Sequence, residues 1–252
     1  MGQKLGQHFL RRASYLEKIA AAAAPSRVPL IVEIGAGEGA LTEHLLERAD
    51  RVIAIEVDPE LVKRLLMRFA GEARLKVVAS DILATDLTQW GHAVVAGNLP
   101  YYITSPVVER TLAMGKYLER AVFLIQKEVA ERITAVPCTR DYGFLSVATQ
   151  LAAETKLLFK VPPGAFSPPP KVDSAVICLT PRRREGEAPP DPTPLLAFVG
   201  LCFRQKRKTL RNNLTSIFGK EVIDKLPEAG MRAEQLTLDQ FRDLYHRLTG
   251  IS

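Results

Sequence analysis

The sequence contains few cysteines and histidines, and neither residue type is clustered. Its 252 residues include three cysteines and four histidines, all widely separated, and no pair of cysteines has CxxC spacing. We therefore expect reduced thiols, as in a cytoplasmic protein, and no structural metal. Long apolar runs are also lacking, since residues 19–24 fall far short of the roughly 20 residues that a membrane helix needs. We expect neither a membrane protein nor a disulfide-stabilised secreted one.

The composition is that of a globular protein with an excess of positive charge. Hydrophobic residues make up 47% and charged residues 25% of the chain, while the net charge is +6 and the pI is about 9.3. Residues 1–181 contain 21 Lys and Arg against 19 Asp and Glu, whereas residues 182–252 contain 13 against 9. The basic excess is concentrated in the shorter part, which suggests a polyanionic partner.

Alternating apolar patterns predict a parallel sheet with helices between its strands. Predicted strands cover residues 30–34, 51–55, 75–79 and 93–97. Helical patterns cover a stretch that Ser14 would cap and that ends at Ala24, residues 40–46, and a stretch that begins at Pro59. This alternation indicates an α/β fold with a doubly wound, mostly parallel sheet.

A glycine loop and two acidic residues follow successive predicted strands. Gly35, Gly37 and Gly39 do not have the G-x-G-x-x-G spacing of dinucleotide-binding loops, but glycines here let the backbone approach a ligand closely. Glu56, 21 residues after Gly35, could bind the two hydroxyls of a ribose, and Asp81 could accept a hydrogen bond from an adenine amine. A nicotinamide dinucleotide would also explain Glu56, and each acid alone could be a solvated carboxylate at a strand end.

Asn98-Leu99-Pro100-Tyr101 follows the fourth predicted strand and suits chemistry on an aromatic amine. The lone pair of such an amine is delocalised into the ring, so two acceptors on its N–H bonds would help to localise it on nitrogen. Asn98 can offer a side-chain carbonyl and Leu99 a backbone carbonyl. Pro100 stiffens the turn, and Tyr101 offers a face on which a base can stack. The alternative is an ordinary proline turn with a buried tyrosine.

Together, these motifs resemble those of class I S-adenosylmethionine-dependent methyltransferases. Further blocks narrow the resemblance to the ribosomal RNA adenine dimethyltransferases, and most closely to their bacterial small-subunit branch, over nearly the whole chain. These blocks are GQHFL (6–10), QKEVAER (126–132), YGFLSV (142–147) and FSPPPKVDSAV (166–176). The resemblance implies a seven-stranded sheet and dimethylation of two adjacent adenines near the 3′ end of small-subunit rRNA.

The resemblance also assigns roles to individual residues. It implies S-adenosylmethionine contacts from His8, Leu10, Gly35, Glu56, Asp81 and Asn98, with S-adenosylhomocysteine as the product. It further implies that Tyr101 and Phe166 flank a flipped adenine. Members commonly have Asn where this chain has His8. Phe166 lies between Pro162-Pro163 and Pro168-Pro169-Pro170, which would stiffen its loop, and its alternative role is an apolar plug beneath that loop.

The C-terminal part is predicted to be a separate helical domain that contacts RNA. We divide the chain into a methyltransferase domain (1–181), a proline-rich linker (182–194) and a helical domain (195–252). Helices are expected at residues 195–203, 205–218, 221–226 and 238–248. At helical spacing, Arg204, Arg207, Lys208 and Arg211 would share one face, while Phe203, Leu210, Leu214 and Ile217 would form the buried side. Such a basic stripe suits phosphate contact, although it could be a solvated face.

Two rival functions remain open on the sequence. One is a methyltransferase of the same family that acts on large-subunit rRNA, the macrolide-resistance type. The other is a nucleic-acid-binding assembly or transcription factor that keeps the fold without catalysis. We expect a cytoplasmic monomer whose partner is small-subunit rRNA or a small-subunit precursor.

Overall fold

The computed structural model describes residues 8–182 and 193–250 of the chain. These residues form two compact units, one of residues 8–130 and 153–182 and the other of residues 131–152 and 193–250. No helix in the described ranges is long and apolar enough to cross a membrane. Most of the predicted linker lies outside the described residues, and its last two residues begin a helix.

The first unit contains nine strands. They are β1 (Phe9–Leu10), β2 (Val28–Ile34), β3 (Ala49–Glu56), β4 (Leu75–Ala79), β5 (Ala93–Asn98), β6 (Leu118–Gln126), β7 (Ala153–Val161), β8 (Phe166–Ser167) and β9 (Ser174–Pro181). Seven form the main sheet in the order β4-β3-β2-β5-β6-β9-β7, in which β9 is antiparallel to both neighbours and the other pairs are parallel. The doubly wound α/β fold predicted from the sequence is confirmed.

Strands β2 and β5 are parallel neighbours, and the order in which successive strands are added to the sheet reverses between them. From β2 the chain moves outward to β3 and β4, then returns to form β5 on the other side of β2. Ile34 pairs with Gly97, so both strands end at the same edge, beside the end of β3 at Glu56. Ligands of open α/β sheets bind at such a reversal, outside the carboxyl ends of the strands.

Helices in the first unit connect the parallel strands. They are α1 (Ala13–Ala23), α2 (Ala40–Leu46), α3 (Pro59–Arg68) and α4 (Thr104–Leu112), with short 3-10 turns at Leu87–Trp90, Tyr101–Ile103, Gly115–Tyr117 and Pro163–Ala165. Helix α3 begins at Pro59, as predicted, and the Asp58 carboxylate caps it by accepting the N–H of Glu60 at 2.9 Å. Ser14 does not cap α1, because the helix already begins at Ala13 and Arg12 occupies the cap position.

The second unit is helical and includes a segment from the middle of the chain. Its helices are α6 (Phe144–Ala152), α7 (Thr193–Cys202), α8 (Leu210–Phe218), α9 (Lys220–Ile223) and α10 (Leu238–Thr249), with 3-10 turns at Pro227–Gly230 and Ala233–Gln235, and α5 (Lys127–Thr134) crosses the division between the units. The predicted division had placed residues 131–152 in the first domain. In the structure, Tyr142 and Val147 are completely buried in the helical core, and the Tyr142 hydroxyl donates to the Leu236 carbonyl at 3.0 Å.

Candidate active site

A cavity of about 420 Å³ opens at the carboxyl ends of the central strands. Nine of the ten residues predicted to contact the cofactor or base line it: His8, Leu10, Gly35, Glu56, Asp81, Asn98, Leu99, Pro100 and Tyr101. The tenth, Phe166, does not. In the described residues, His, Cys, Asp and Glu side chains form no group of three that could hold a metal ion.

The glycine loop has a backbone that only glycine adopts without strain. Gly35 and Gly37 have φ values of +70° and +59°, in the left-handed region. A Cβ atom on Gly37 would also lie 3.1 Å from the Phe9 ring, which covers the loop. Both features favour glycine at these positions, and the glycine backbone that lines the cavity can be approached closely by a ligand.

Glu56 fixes this loop against the end of β3. The side chain is 4% exposed; its Oε2 accepts the N–H of Gly37 at 2.8 Å, and its Oε1 accepts those of Val57 and Asp58 at 2.9 and 3.0 Å. These bonds replace water around a buried carboxylate. A carboxylate has about four acceptor positions, so about one is left for a ligand.

Asp81 lies at the next strand end and is more open. Its Oδ1 accepts the N–H of Leu83 at 2.8 Å, and the residue is exposed at the cavity rim. This bond orients the carboxylate, and no donor in the described residues bonds its second oxygen.

The Asn98 side chain is held in one orientation by the N-terminal segment. Its Nδ2 donates to the His8 backbone carbonyl at 3.0 Å. A carbonyl oxygen can only accept, so the amide nitrogen must face His8 and Oδ1 must be the free atom. The neighbouring Leu99 N–H donates to the Leu124 carbonyl at 3.0 Å, while no donor in the described part of the chain bonds the Leu99 carbonyl. The two acceptors expected from the sequence are thus both available.

Tyr101 forms part of the cavity wall and is half-buried. Its hydroxyl is 2.7 Å from the Ser174 Oγ, and its ring centroid is 5.9 Å from that of His8. Burial raises the pKa of the Tyr101 phenol above its usual value, so the hydroxyl is neutral at physiological pH.

Phe166 does not line the cavity, and the His8 ring is bonded to a different segment of the chain, so the contacts implied for both stay predictions. Phe166 is 6% exposed and belongs to the buried core with Leu10, its partner in the antiparallel pair of β1 and β8. This geometry matches the apolar plug named as its alternative role. The His8 ring lines the cavity, but its Nδ1 bonds the Pro168 carbonyl at 2.8 Å.

Two acidic residues of the cavity wall were missed by the sequence analysis. Glu33 is 1% exposed, and its Oε2 accepts the Thr42 hydroxyl at 2.6 Å. Burial, with a smaller contribution from the charge of Glu56, raises the pKa of Glu33 to about 8. Glu38, in the glycine loop, pairs with Arg11 at 2.5 Å and with Arg64 at 3.1 Å. A carboxyl group inside the apolar run of β2 was a signal for Glu33.

Three of the four basic residues predicted to contact RNA lie on a turn rather than on a helix. Arg204, Arg207 and Lys208 are exposed in the turns between α7 and α8, and only Arg211 is helical. None of the first three forms an ion pair within the described ranges, whereas Arg211 pairs with Asp224 at 2.8 Å. The predicted shared helical face is therefore wrong, and so is the burial of Ile217, which is 45% exposed.

Asn213 explains why the chain turns before α8. It is 3% exposed; its Nδ2 donates to the carbonyls of Cys202 and Gln205 at 2.8 and 3.3 Å, and its Oδ1 accepts the Gln205 N–H at 3.2 Å. These bonds hold residues 203–205 in a non-helical path between α7 and α8. The turn of residues 203–208, called the basic turn below, is thus anchored to α8 by one buried amide.

Comparisons with known proteins agree on one family. A sequence profile described as ribosomal RNA adenine dimethylase matches residues 2–250. A protein of Acidobacterium capsulatum, named ribosomal RNA small subunit methyltransferase A, is 43% identical, with 97% of this chain and 90% of that protein covered.

Two crystal structures share the fold at 26% and 29% sequence identity. A dimethyladenosine transferase from Plasmodium falciparum matches with a TM-score of 0.84 and 26% identity, covering 97% of this chain and 99% of that one. The 23S rRNA methyltransferase ErmE matches with a TM-score of 0.76 and 29% identity, covering 95% and 99%. From the cavity and these matches together, the chain belongs to the ribosomal RNA adenine dimethylase family.

Proposed function

We propose that this protein transfers methyl groups from S-adenosylmethionine to the exocyclic N6 of two adjacent adenines near the 3′ end of small-subunit rRNA. The observation that carries the proposal is the cavity in which the glycine loop, the strand-end acids and the Asn98–Tyr101 turn meet. The small-subunit substrate is favoured by the 43% identical relative, whose name specifies that subunit. We further propose that the protein acts as a cytoplasmic monomer.

The donor set of the cavity fits S-adenosylmethionine. Glu56 has about one acceptor position left for a ribose hydroxyl, and Asp81 presents an oxygen at the rim for the adenine amine. Gly35 gives backbone access, while Leu10 and His8 close the side formed by the N-terminal segment. When bound, the cofactor supplies an electrophilic methyl group on a sulfonium, and loss of that methyl leaves S-adenosylhomocysteine.

The protein's own contribution is to position and polarise the target amine. The Asn98 Oδ1 and the Leu99 carbonyl would accept the two N–H bonds of the adenine amine, which localises the nitrogen lone pair toward the methyl group. As the N–C bond forms, positive charge develops on nitrogen, and the same acceptors stabilise it. The nitrogen then loses a proton. Asn98 is neutral, so we assign it no role as a general base.

Tyr101 would hold the adenine by stacking. A base that stacks on an aromatic side chain gains roughly 1–3 kcal/mol, which offsets much of the few kcal/mol that leaving its own stack costs. A contact from Phe166 stays a prediction, and it requires the side chain to leave its buried position beside Leu10.

The basic turn would provide phosphate contacts in the second unit. Arg204, Arg207 and Lys208 are exposed and lack acidic partners in the described chain, so their charges are available to a polyanion. Arg211 is less available because Asp224 neutralises it. Lys206 is engaged by the Arg140 carbonyl at 2.6 Å, which ties the basic turn to the loop before α6.

The test is to locate the methyl groups that the protein adds. The purified protein is incubated with radiolabelled S-adenosylmethionine and either small-subunit particles that lack the modification or large-subunit rRNA. We expect dimethyladenosine at two adjacent positions near the 3′ end of small-subunit rRNA. Label in large-subunit rRNA alone would favour the macrolide-resistance type, and no transfer to either RNA would reject the proposed function.

A further inference from the structure

The Tyr101 ring is restrained from two sides by segments distant in sequence. On one side its hydroxyl is 2.7 Å from the Oγ of Ser174, a residue 73 positions later in the chain. Ser174 is completely buried at the start of β9, where its backbone pairs with Gln126 of β6 and Val161 of β7. The serine hydroxyl is therefore a fixed anchor for the phenol.

The imidazole of His8 provides the second restraint. Its ring lies 5.9 Å from the Tyr101 ring at an interplanar angle of 30°. The His8 Nδ1 is 2.8 Å from the Pro168 carbonyl, which can only accept, so this nitrogen carries the proton. The antiparallel pair of Phe9 and Ser167 holds the same two segments together.

Both restraints come from the block of residues 166–174. Ser174 contacts Tyr101 directly, and Pro168 acts through His8. Residues 166–174 thus have a role at the site that does not require Phe166 to touch the substrate. Phe166 instead packs in the buried core beside Leu10, two residues after His8.

We infer that Ser174 and His8 are positioning residues that hold the Tyr101 ring in the orientation in which it stacks on the target adenine. The inference rests on the proposed function. A tyrosine side chain has two torsions to fix before it can form a flat wall, and fixing them before the base arrives removes that entropic cost from binding. Neither Ser174 nor the His8 ring needs to touch the base.

A double-mutant cycle on Ser174 and Tyr101 tests the first restraint. Ser174→Ala and Tyr101→Phe each remove one end of the same hydrogen bond and keep the Tyr101 ring. We expect each to lower kcat/KM for the RNA about two- to tenfold, the range for one neutral hydrogen bond. The double variant should be no worse than the poorer single one. Additive losses, or no loss in Ser174→Ala, would overturn the inference.

Two further variants separate positioning from a general effect on β9. Ser174→Thr keeps a hydroxyl and should restore most of the kcat/KM lost in Ser174→Ala. Thr180→Ala removes an exposed hydroxyl from the same strand and should leave kcat/KM and donor affinity at the parent's values. A Ser174→Thr variant as impaired as Ser174→Ala would indicate that only the packing of β9 matters.

The His8 restraint predicts a different pattern from a cofactor contact. His8→Ala removes the ring and its bond to Pro168 but keeps the backbone carbonyl that orients Asn98. We expect kcat/KM for RNA, measured with saturating donor, to fall about two- to tenfold. Weaker donor binding with unchanged kcat/KM for RNA would overturn this assignment and place His8 on the cofactor.

A readout without substrate distinguishes failure of this inference from failure of the proposed function. In protein with ¹³C-labelled tyrosine, the Tyr101 ring signals should show faster ring motion in Ser174→Ala and His8→Ala than in the parent. Unchanged ring motion in both variants would refute the restraint whatever RNA the protein methylates. If ring motion is faster in the variants but the parent methylates no adenine, only the proposed function is refuted.

Discussion

Glu33 is a carboxyl group that the fold removes almost completely from water. Burial raises its pKa from the usual 4.5 to about 8 in the folded protein. Between these two pH values the folded chain keeps a proton that the unfolded chain has lost. The contribution of Glu33 to stability therefore falls as the pH rises from 4.5 to 8, and it stays low at higher pH.

Replacing Glu33 by Gln should remove this pH dependence. The amide stays neutral at every pH, and its carbonyl can still accept the Thr42 hydroxyl. The free energy of unfolding, measured by chemical denaturation from pH 5 to pH 8, should fall more steeply with pH in the parent than in Glu33→Gln. Parallel curves for the two proteins would show that Glu33 does not titrate in this range.

Glu56→Ala should weaken the binding of the donor. Removal of a charged acceptor from the ribose should reduce the free energy of binding by roughly 1.5–3 kcal/mol, as measured by calorimetry. Glu60→Ala, which removes an exposed carboxylate at the start of α3, is the matched control and should bind as the parent does. Unchanged affinity in Glu56→Ala would refute the ribose contact.

The sequence predicted the polar residues of the cavity better than the aromatic ones. Gly35, Glu56, Asp81 and Asn98 each lie at or just after the end of a strand, and strand ends meet at one edge by the geometry of a parallel sheet. The position of Phe166 depends instead on the pairing of β1 with β8, a long-range contact that has no local pattern.

Helix α8 shows how a buried polar side chain can override a helical pattern. Residues 205–218 have helical periodicity, yet the helix begins only at Leu210 because Asn213 bonds the backbone of Cys202 and Gln205. Helices α2 and α3 were predicted at their observed starts, since a glycine loop and Pro59 mark these positions locally. Tertiary hydrogen bonds give no comparable signal in sequence.

Replacing Arg207 and Lys208 by Gln tests the basic turn. Affinity for small-subunit particles should fall, and the slope of log affinity against log salt should shrink by about 1–2, because fewer counterions are released. Donor binding and thermal stability should stay unchanged, since both side chains are exposed.

The control for this variant carries the same charge change elsewhere. Lys18→Gln with Lys63→Gln removes two exposed lysines of the first unit. If both double variants lose the same affinity and salt slope, the effect reflects net charge and the basic turn has no specific role.

The described residues form two units that are not contiguous in sequence. Residues 131–152 lie between β6 and β7 of the sheet yet join the helical unit, where Tyr142 is buried. The family and fold were predictable because the motifs cover nearly the whole chain, and the family match over residues 2–250 confirms them. The assignment of residues 131–152 to the helical unit was not predictable, because the segment YGFLSV (142–147) has the same apolar pattern whichever core buries it.

We propose that Asn98 aligns an adenine amine of small-subunit rRNA with a bound donor. The most direct measurement counts methyl groups transferred per small-subunit particle by the parent and by Asn98→Ala, with donor affinity measured on the same samples. We expect about four methyl groups per particle for the parent, two on each of two adenines, and none for Asn98→Ala, whose donor affinity should stay within about tenfold. Full transfer by Asn98→Ala, or loss of its folding together with all donor binding, would contradict it.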